Sequence, residues 1–302
     1  MRRVHGARPP EPLVFLRAMR KALLVLLTLG TPLAAVAAEP EPTTVIDAEY
    51  AFAAAAKPLG VRGAFLKYLS PDSILCSPMP VNGIVSTAAG KPNADTLEWY
   101  PTHSETAASQ DMGYSTGPWI YRTADGKTEA HGTFLSVWRK QPDGTWRVAL
   151  DCGVTQPKPA TVAKGLDKPS PSSPPAASSE TASWKDPVAA ADVRFTSAAA
   201  KSASAALGEF GATDVHVMVR GVPTAVGIEP GRALLSAQKL GATWQHVFAS
   251  QSQDGMLGYT WGFIGDANAS KPAVVYVNVW RRAGVAAPWK IAAQSLQLLP
   301  QK

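Results

Sequence analysis

A five-residue phrase occurs twice in this chain and sets the strongest limit on what it can fold into. Gly113-Tyr114-Ser115-Thr116-Gly117 returns as Gly258-Tyr259-Thr260-Trp261-Gly262. A tryptophan precedes each phrase at the same distance, Trp99 and Trp244. Further on, Phe134-Leu135-Ser136-Val137-Trp138-Arg139 pairs with Tyr276-Val277-Asn278-Val279-Trp280-Arg281, and Trp146-Arg147-Val148 pairs with Trp289-Lys290-Ile291. Upstream, Glu49 and Phe52 pair with Asp192 and Phe195. Landmarks in one order at a nearly constant offset predict one small domain built twice. The predicted domains cover residues 43–156 and 188–300, the second diverged from the first.

Residues 157–187, between the two, are dominated by Pro, Ser and Ala. A segment so poor in large apolar side chains cannot offset its ordering entropy, so a disordered and rather stiff linker is expected there.

The opening residues read as a targeting segment. Arg17, Arg20 and Lys21 precede the apolar run Ala22–Leu29, then Gly30, Pro32 and small residues ending Ala37-Ala38. That order predicts a signal peptide over 1–38 and a periplasmic or secreted protein, and the run is too short to span a bilayer. Met19 would begin a signal of ordinary length, so residues 1–18 read as a mis-called start. The segment 1–38 holds six Lys or Arg and one acid, which accounts for +5 of the formal +6. The remainder is almost neutral, and nothing in its charge points to nucleic acid.

The coarse element order follows from periodicity. Residues 44–57 and 189–207 are Ala-rich and read as helices, with a short helix over 62–69. Runs rich in β-branched and aromatic residues predict strands at 74–77, 96–100, 113–122, 133–140 and 145–150, with a tight turn at Pro142-Asp143-Gly144. Helices first and antiparallel strands afterwards is an α+β order. Alternation places Phe134, Ser136 and Trp138 on one strand face and Leu135 and Val137 on the other. Tyr276, Asn278 and Trp280 oppose Val277 and Val279 in the same way. Neither face is polar enough for water, so the aliphatic face needs a partner. The candidates are the other domain, as an internal pseudo-dimer, or a second copy in a homodimer.

These motifs resemble the nuclear transport factor 2-like superfamily, including its SnoaL-like and ketosteroid isomerase-like members. The resemblance rests on Ala48-Glu49-Tyr50-Ala51-Phe52, Pro80-Val81-Asn82-Gly83, Asp111 to Trp119, His131-Gly132-Thr133-Phe134 and Val137 to Trp146. It covers nearly all of 43–153 and, more weakly, 188–300. It implies two tandem cone-shaped domains, each with N-terminal helices packed on a curved antiparallel sheet around a conical pocket. It also implies that the first strand lies beside the last, which would bring Cys76 and Cys152 within reach of a disulfide; two buried free thiols are the alternative. The superfold hosts enzymes, binding modules and assembly domains, so it does not assign a function.

Several residues could carry chemistry. His131 suits acid–base work near neutral pH, and a strand-edge histidine bonded to a loop is the competing reading. Glu49, with Asp192 at the matching place, reads either as a pocket carboxylate or as part of a solvated helix face. Asp111 and Asp151 sit at strand ends, where loop hydrogen bonding is the commoner role. His103 and His246 read as exposed or satisfied. Trp99, Tyr114, Trp119, Phe134, Ser136 and Trp138, with Trp244, Tyr259, Tyr276, Asn278 and Trp280, are the candidate ligand wall, or else simply the core. No cysteine and histidine spacing suggests a metal, and no phosphate loop or hydrolase elbow suggests a cofactor or nucleotide. The expectation is an exported protein binding a small apolar or aromatic ligand. The alternatives are a cofactor-independent lyase or isomerase using His131 and Glu49, and an assembly module acting through the outer sheet face.

Overall fold

Helix α1 (Val45–Tyr68) begins where the Thr44 hydroxyl accepts a hydrogen bond from the Asp47 amide at 3.1 Å. Pro58 lies inside it, and Gly60 turns to φ 69°, splitting the helix at a kink where two separate helices were expected. The computed structural model describes residues 42–76, 78–161, 165, 187–266 and 272–299. The predicted signal peptide and all but the ends of the predicted linker lie outside these residues, apart from Gly165.

From α1 the chain passes into β1 (Leu69–Cys76), β2 (Pro80–Asn82) and the short helix α2 (Gly83–Ala89). Then come β3 (Thr96–Trp99), β4 (His103–Thr106), β5 (Met112–Arg122), β6 (Glu129–Lys140), β7 (Trp146–Asp151) and β8 (Val154–Gln156). The second half opens with α3 (Val188–Ala199) and α4 (Ala203–Phe210). One helix was expected over 189–207; instead the chain breaks at Ser202, whose hydroxyl caps α4 through the Ala205 amide at 3.2 Å. Next are β9 (Gly211–Val219), β10 (Ala225–Val226), α5 (Ile228–Ser236), β11 (Thr243–Gln251), β12 (Leu257–Gly265), β13 (Val274–Arg281) and β14 (Lys290–Leu298).

The protein is α+β, with two sheets that each pack against helices. One runs β2-β1-β7-β6-β5-β3, with β4 also on β5 and β8 on β6; the other runs β10-β9-β14-β13-β12-β11. In both, the first long strand lies parallel to the last, β1 on β7 and β9 on β14. The first half has two short edge strands where the second has one. Pro101, which cannot donate to a ladder, falls between β3 and β4. The repeated glycines have a steric reason: a Cβ on Gly117 would collide with the Tyr100 carbonyl oxygen, and one on Gly262 with that of Gln245.

Both halves carry the same β-bulge. Val137 pairs with Leu150 and Trp138 with Val148, leaving Ala149 extra; Val279 pairs with Ala293 and Trp280 with Ile291, leaving Ala292 extra. Each bulge turns its last strand over, so Val148 packs inside the first half while Leu150 faces out.

Inside the first half, α1 lays Val45, Ala48 and Phe52 against Phe134, Trp138, Trp146 and Val148. Inside the second, Phe195 packs on Trp244, Tyr276 and Trp280. A third apolar cluster joins the sheets: Met112, Tyr114, Leu135, Val137 and Leu150 meet Met218, Tyr259, Val277, Val279 and Ala293. Corresponding loops close its rim. The Ser109 amide donates to Asp254 at 2.8 Å, and the Gln253 amide donates to Asp111 at 3.1 Å. These are the two copies of Ser-Gln-Asp, residues 109–111 and 252–254. Cys76 and Cys152 form a disulfide with Cα atoms 4.8 Å apart, joining β1 to the chain just past β7. No helix of the described residues is long and apolar enough to cross a membrane.

Candidate functional site

The first half forms a half-open cavity of about 250 Å3 lined by Phe65, Leu97, Trp99, Trp119, Tyr121, Phe134, Asp151 and Gly153. Kinked α1 supplies Phe65, the short edge strand β3 supplies Leu97 and Trp99, and β5 and β6 supply Trp119, Tyr121 and Phe134. Asp151 reaches the cavity because the bulge on β7 reverses the strand's alternation; its neighbours Leu150 and Cys152 both pack on the opposite face.

Behind this wall lies Glu49, fully buried on α1. Its carboxylate accepts from the Trp99 indole at 2.6 Å, the Ser115 hydroxyl at 2.6 Å and the Trp138 indole at 2.8 Å. That disposes of a solvated helix face at this position. Burial pushes the Glu49 carboxyl above its ordinary range, opposed by these hydrogen bonds. Asp151 accepts from Ser136 at 3.2 Å. Burial first, and then the charge of Glu49, raise its carboxyl to about 7, so it changes protonation near neutrality.

The second half builds the same plan with different chemistry. Asp192 is fully buried and accepts from Thr260 at 2.6 Å, Tyr276 at 2.7 Å and Asn278 at 3.0 Å, with His246 Nδ1 at 2.7 Å. Being one carbon shorter than Glu49, it leaves the Trp280 indole to Thr260 and the Trp244 indole without a partner. Where Asp151 pairs with Ser136, Gln294 pairs with Asn278, and its amide donates to Asn278 at 2.9 Å. The cavity carboxyl of the first half is therefore an amide in the second.

The sequence candidates divide accordingly. Trp99, Trp119 and Phe134 line the cavity, while Ser136 holds its Asp151 carboxyl and Trp138 holds Glu49 behind it. Trp244, Tyr276, Asn278 and Trp280 lie inside the second half, in its core or around Asp192. Tyr114 and Tyr259 face the other way, into the cluster joining the sheets. His131 shares strand parity with Leu135, opposite Phe134, and its Nε2 lies 2.8 Å from the Glu129 carboxylate, so it is not brought together with Glu49. Of the two readings for His246, exposed or satisfied, the structure shows the satisfied one, with Asp192 as its partner. Asp111 serves the loop contact described above.

His103, past Pro101, leaves the face of Trp99 and lies 3.0 Å from the Tyr114 hydroxyl, its ring 4.7 Å from that of His216. Arg281 bridges Glu105 and Asp214 beside them. Burial and the neighbouring His103 hold the His216 imidazole down at about 4.

Asp151 sits at a strand end, where loop hydrogen bonding is the commoner role, and a plain alternation from Trp146 and Val148 would put it outside. The signal that could have found it is the shared extra residue, Ala149 in one half and Ala292 in the other. Among the described residues no group of His, Cys, Asp and Glu could hold a metal ion.

No family model matches the sequence, and neither does any curated protein. Solved structures do show similarity. One is a nuclear transport factor 2-like protein of unknown function from Shewanella oneidensis, 15% identical, covering 36% of this chain and 94% of its own, with a TM-score of 0.31. A ketosteroid isomerase-like protein from Erwinia carotovora is 18% identical over 37% of this chain and 93% of its own, with a TM-score of 0.29. A nuclear transport factor 2-like protein with a cystatin-like fold from Novosphingobium aromaticivorans is 13% identical over 37% of this chain and 79% of its own, with a TM-score of 0.30.

Proposed function

We propose that this is an exported tandem-domain protein that binds a small, largely apolar molecule in its first half. The observation that carries the reading is the cavity: five aromatic rings and one carboxyl that titrates near neutrality. Pockets of this kind bind through their apolar wall and orient through few polar groups. A cavity of about 250 Å3 exceeds the ~150 Å3 that holds benzene, so the ligand has the size of one substituted ring.

The second half is a diverged copy that serves as an internal partner. Tyr276 is buried inside it and donates to Asp192, and its outer sheet face lies against that of the first half. Export rests on the order of charge, apolar run and small residues before Ala38, together with a disulfide suited to an oxidising compartment. N-terminal sequencing of secreted material tests export.

Acid–base catalysis is the second reading, and the Asp151 and Glu49 pair favours it over His131. Native mass spectrometry of the protein purified from its own compartment tests the binding reading. A retained molecule lost in Leu97→Trp, which fills the cavity, supports it; retention unchanged by that substitution refutes the site.

A further inference from the structure

The charge of the cavity narrows its ligand. Among the described residues, Asp151 is the one lining residue that is charged in its ordinary ionised form, and none of them is basic. Glu49 adds a second carboxyl just behind, and its hydrogen-bond donors are the neutral Trp99, Ser115 and Trp138. Asp151 is met only by a neutral donor, Ser136. Two carboxyls thus share a low-dielectric space with no cation hydrogen-bonded to either among the described residues.

The aromatic wall adds to this potential, because ring faces are electronegative and attract cations. An anionic ligand would be repelled. A neutral one would bring no countercharge, so the Asp151 carboxyl would keep its proton near neutrality and gain no ion pair. A cation with an apolar body satisfies the carboxylate and the rings together.

We propose that the pocket takes a small organic cation, an alkylammonium or a protonated aromatic amine, with its charge against Asp151 and its body among Phe65, Trp99, Trp119 and Phe134. The inference rests on the binding reading above. Of the groups packed around Asp151, the charge that acts on it is that of Glu49 from α1. The neighbouring strands present Ser136, the Trp99 and Trp119 indoles and the Tyr121 phenol, and β1 presents Leu75 at the register position. Binding therefore follows the carboxylate form and strengthens as pH rises through neutrality.

The test is calorimetry on the full chain with benzylamine and with benzyl alcohol, which share a shape and differ in charge. At about pH 8 the amine should bind at least tenfold tighter. Its advantage should shrink at about pH 5, where Asp151 is protonated, and vanish in Asp151→Asn. Equal or weaker binding of the amine at about pH 8 overturns the inference, as does a preference for the amine that survives Asp151→Asn. If only the alcohol binds, the inference fails and the pocket reading stands; if neither binds, both fall. The comparison at two pH values uses the unaltered chain, so it decides the matter even where the variant does not fold.

Discussion

Replacing Asp151 by Asn should stabilise this protein, and increasingly so as pH rises towards neutrality and beyond. The carboxyl titrates at about 7 in the folded state against an ordinary 3.8. A folded-state value raised above the unfolded one means that the native protein holds a proton the unfolded chain has already released. Stability is therefore full below about pH 4 and falls as pH climbs towards and through about pH 7. Each tenfold difference in proton affinity is worth about 1.4 kcal/mol, so the native state loses about 2–3 kcal/mol between about pH 5 and about pH 8. Glu49 titrates beside Asp151, so the step belongs to the pair. The amide keeps an acceptor for Ser136 and carries no charge. Urea denaturation followed by tryptophan fluorescence, on both proteins at both pH values, isolates the effect. The variant's advantage over the parent should grow by about 2–3 kcal/mol between about pH 5 and about pH 8. A difference that does not depend on pH, or a variant weaker at the alkaline end, would refute the burial argument.

Glu49→Ala strands two indoles and a hydroxyl in the core; at about 1–3 kcal/mol per lost partner, a loss on the order of 4 kcal/mol is expected in the same denaturation assay. Replacing Cys76 and Cys152 together by Ser opens a closure spanning 76 residues and should cost up to about 4–5 kcal/mol by loop entropy, read as a lower thermal midpoint. A Cβ on Gly132 would collide with the Trp119 ring and the Val154 carbonyl oxygen. Gly132→Ala should therefore displace Trp119 from the cavity wall, weaken ligand binding and cost about 1–3 kcal/mol. Asp254→Ala leaves the Ser109 amide unpaired at the junction of the halves and should cost about 1–2 kcal/mol; no change would mean that the loop contact contributes nothing.

Much of the scaffold was legible because period and burial agree. Alternation along β6 and β13 gives the two faces found, since both strands are buried on both sides and neither carries an internal kink where those residues lie. The helices α2 and α5 left little trace. Each is short, and α2 is fixed by one local cap, the Asn82 side chain accepting from the Val85 amide at 2.9 Å. The site was read less well than the scaffold, for two local reasons. Pro101 resets the strand phase, so His103 leaves the face of Trp99. The bulge at Ala149 resets it again and carries Asp151 inward. A sequence shows side-chain parity only while the strand stays regular, and the residues that build a site sit where it does not.

Asp151, Cys152 and Gly153 are consecutive, and between them they serve the cavity, the crosslink and the seam with β14. The first opens on the cavity, the second holds the crosslink while its carbonyl accepts from Ser295 at 3.4 Å, and the carbonyl of the third accepts from Gln297. Mutational freedom here is correspondingly narrow. An insertion or deletion of one residue would hand the thiol to the cavity and the acid to the seam, so drift at these three positions has to proceed by substitution and not by length. The aligned positions of the second half, which has no crosslink, carry Gln294 and Ser295.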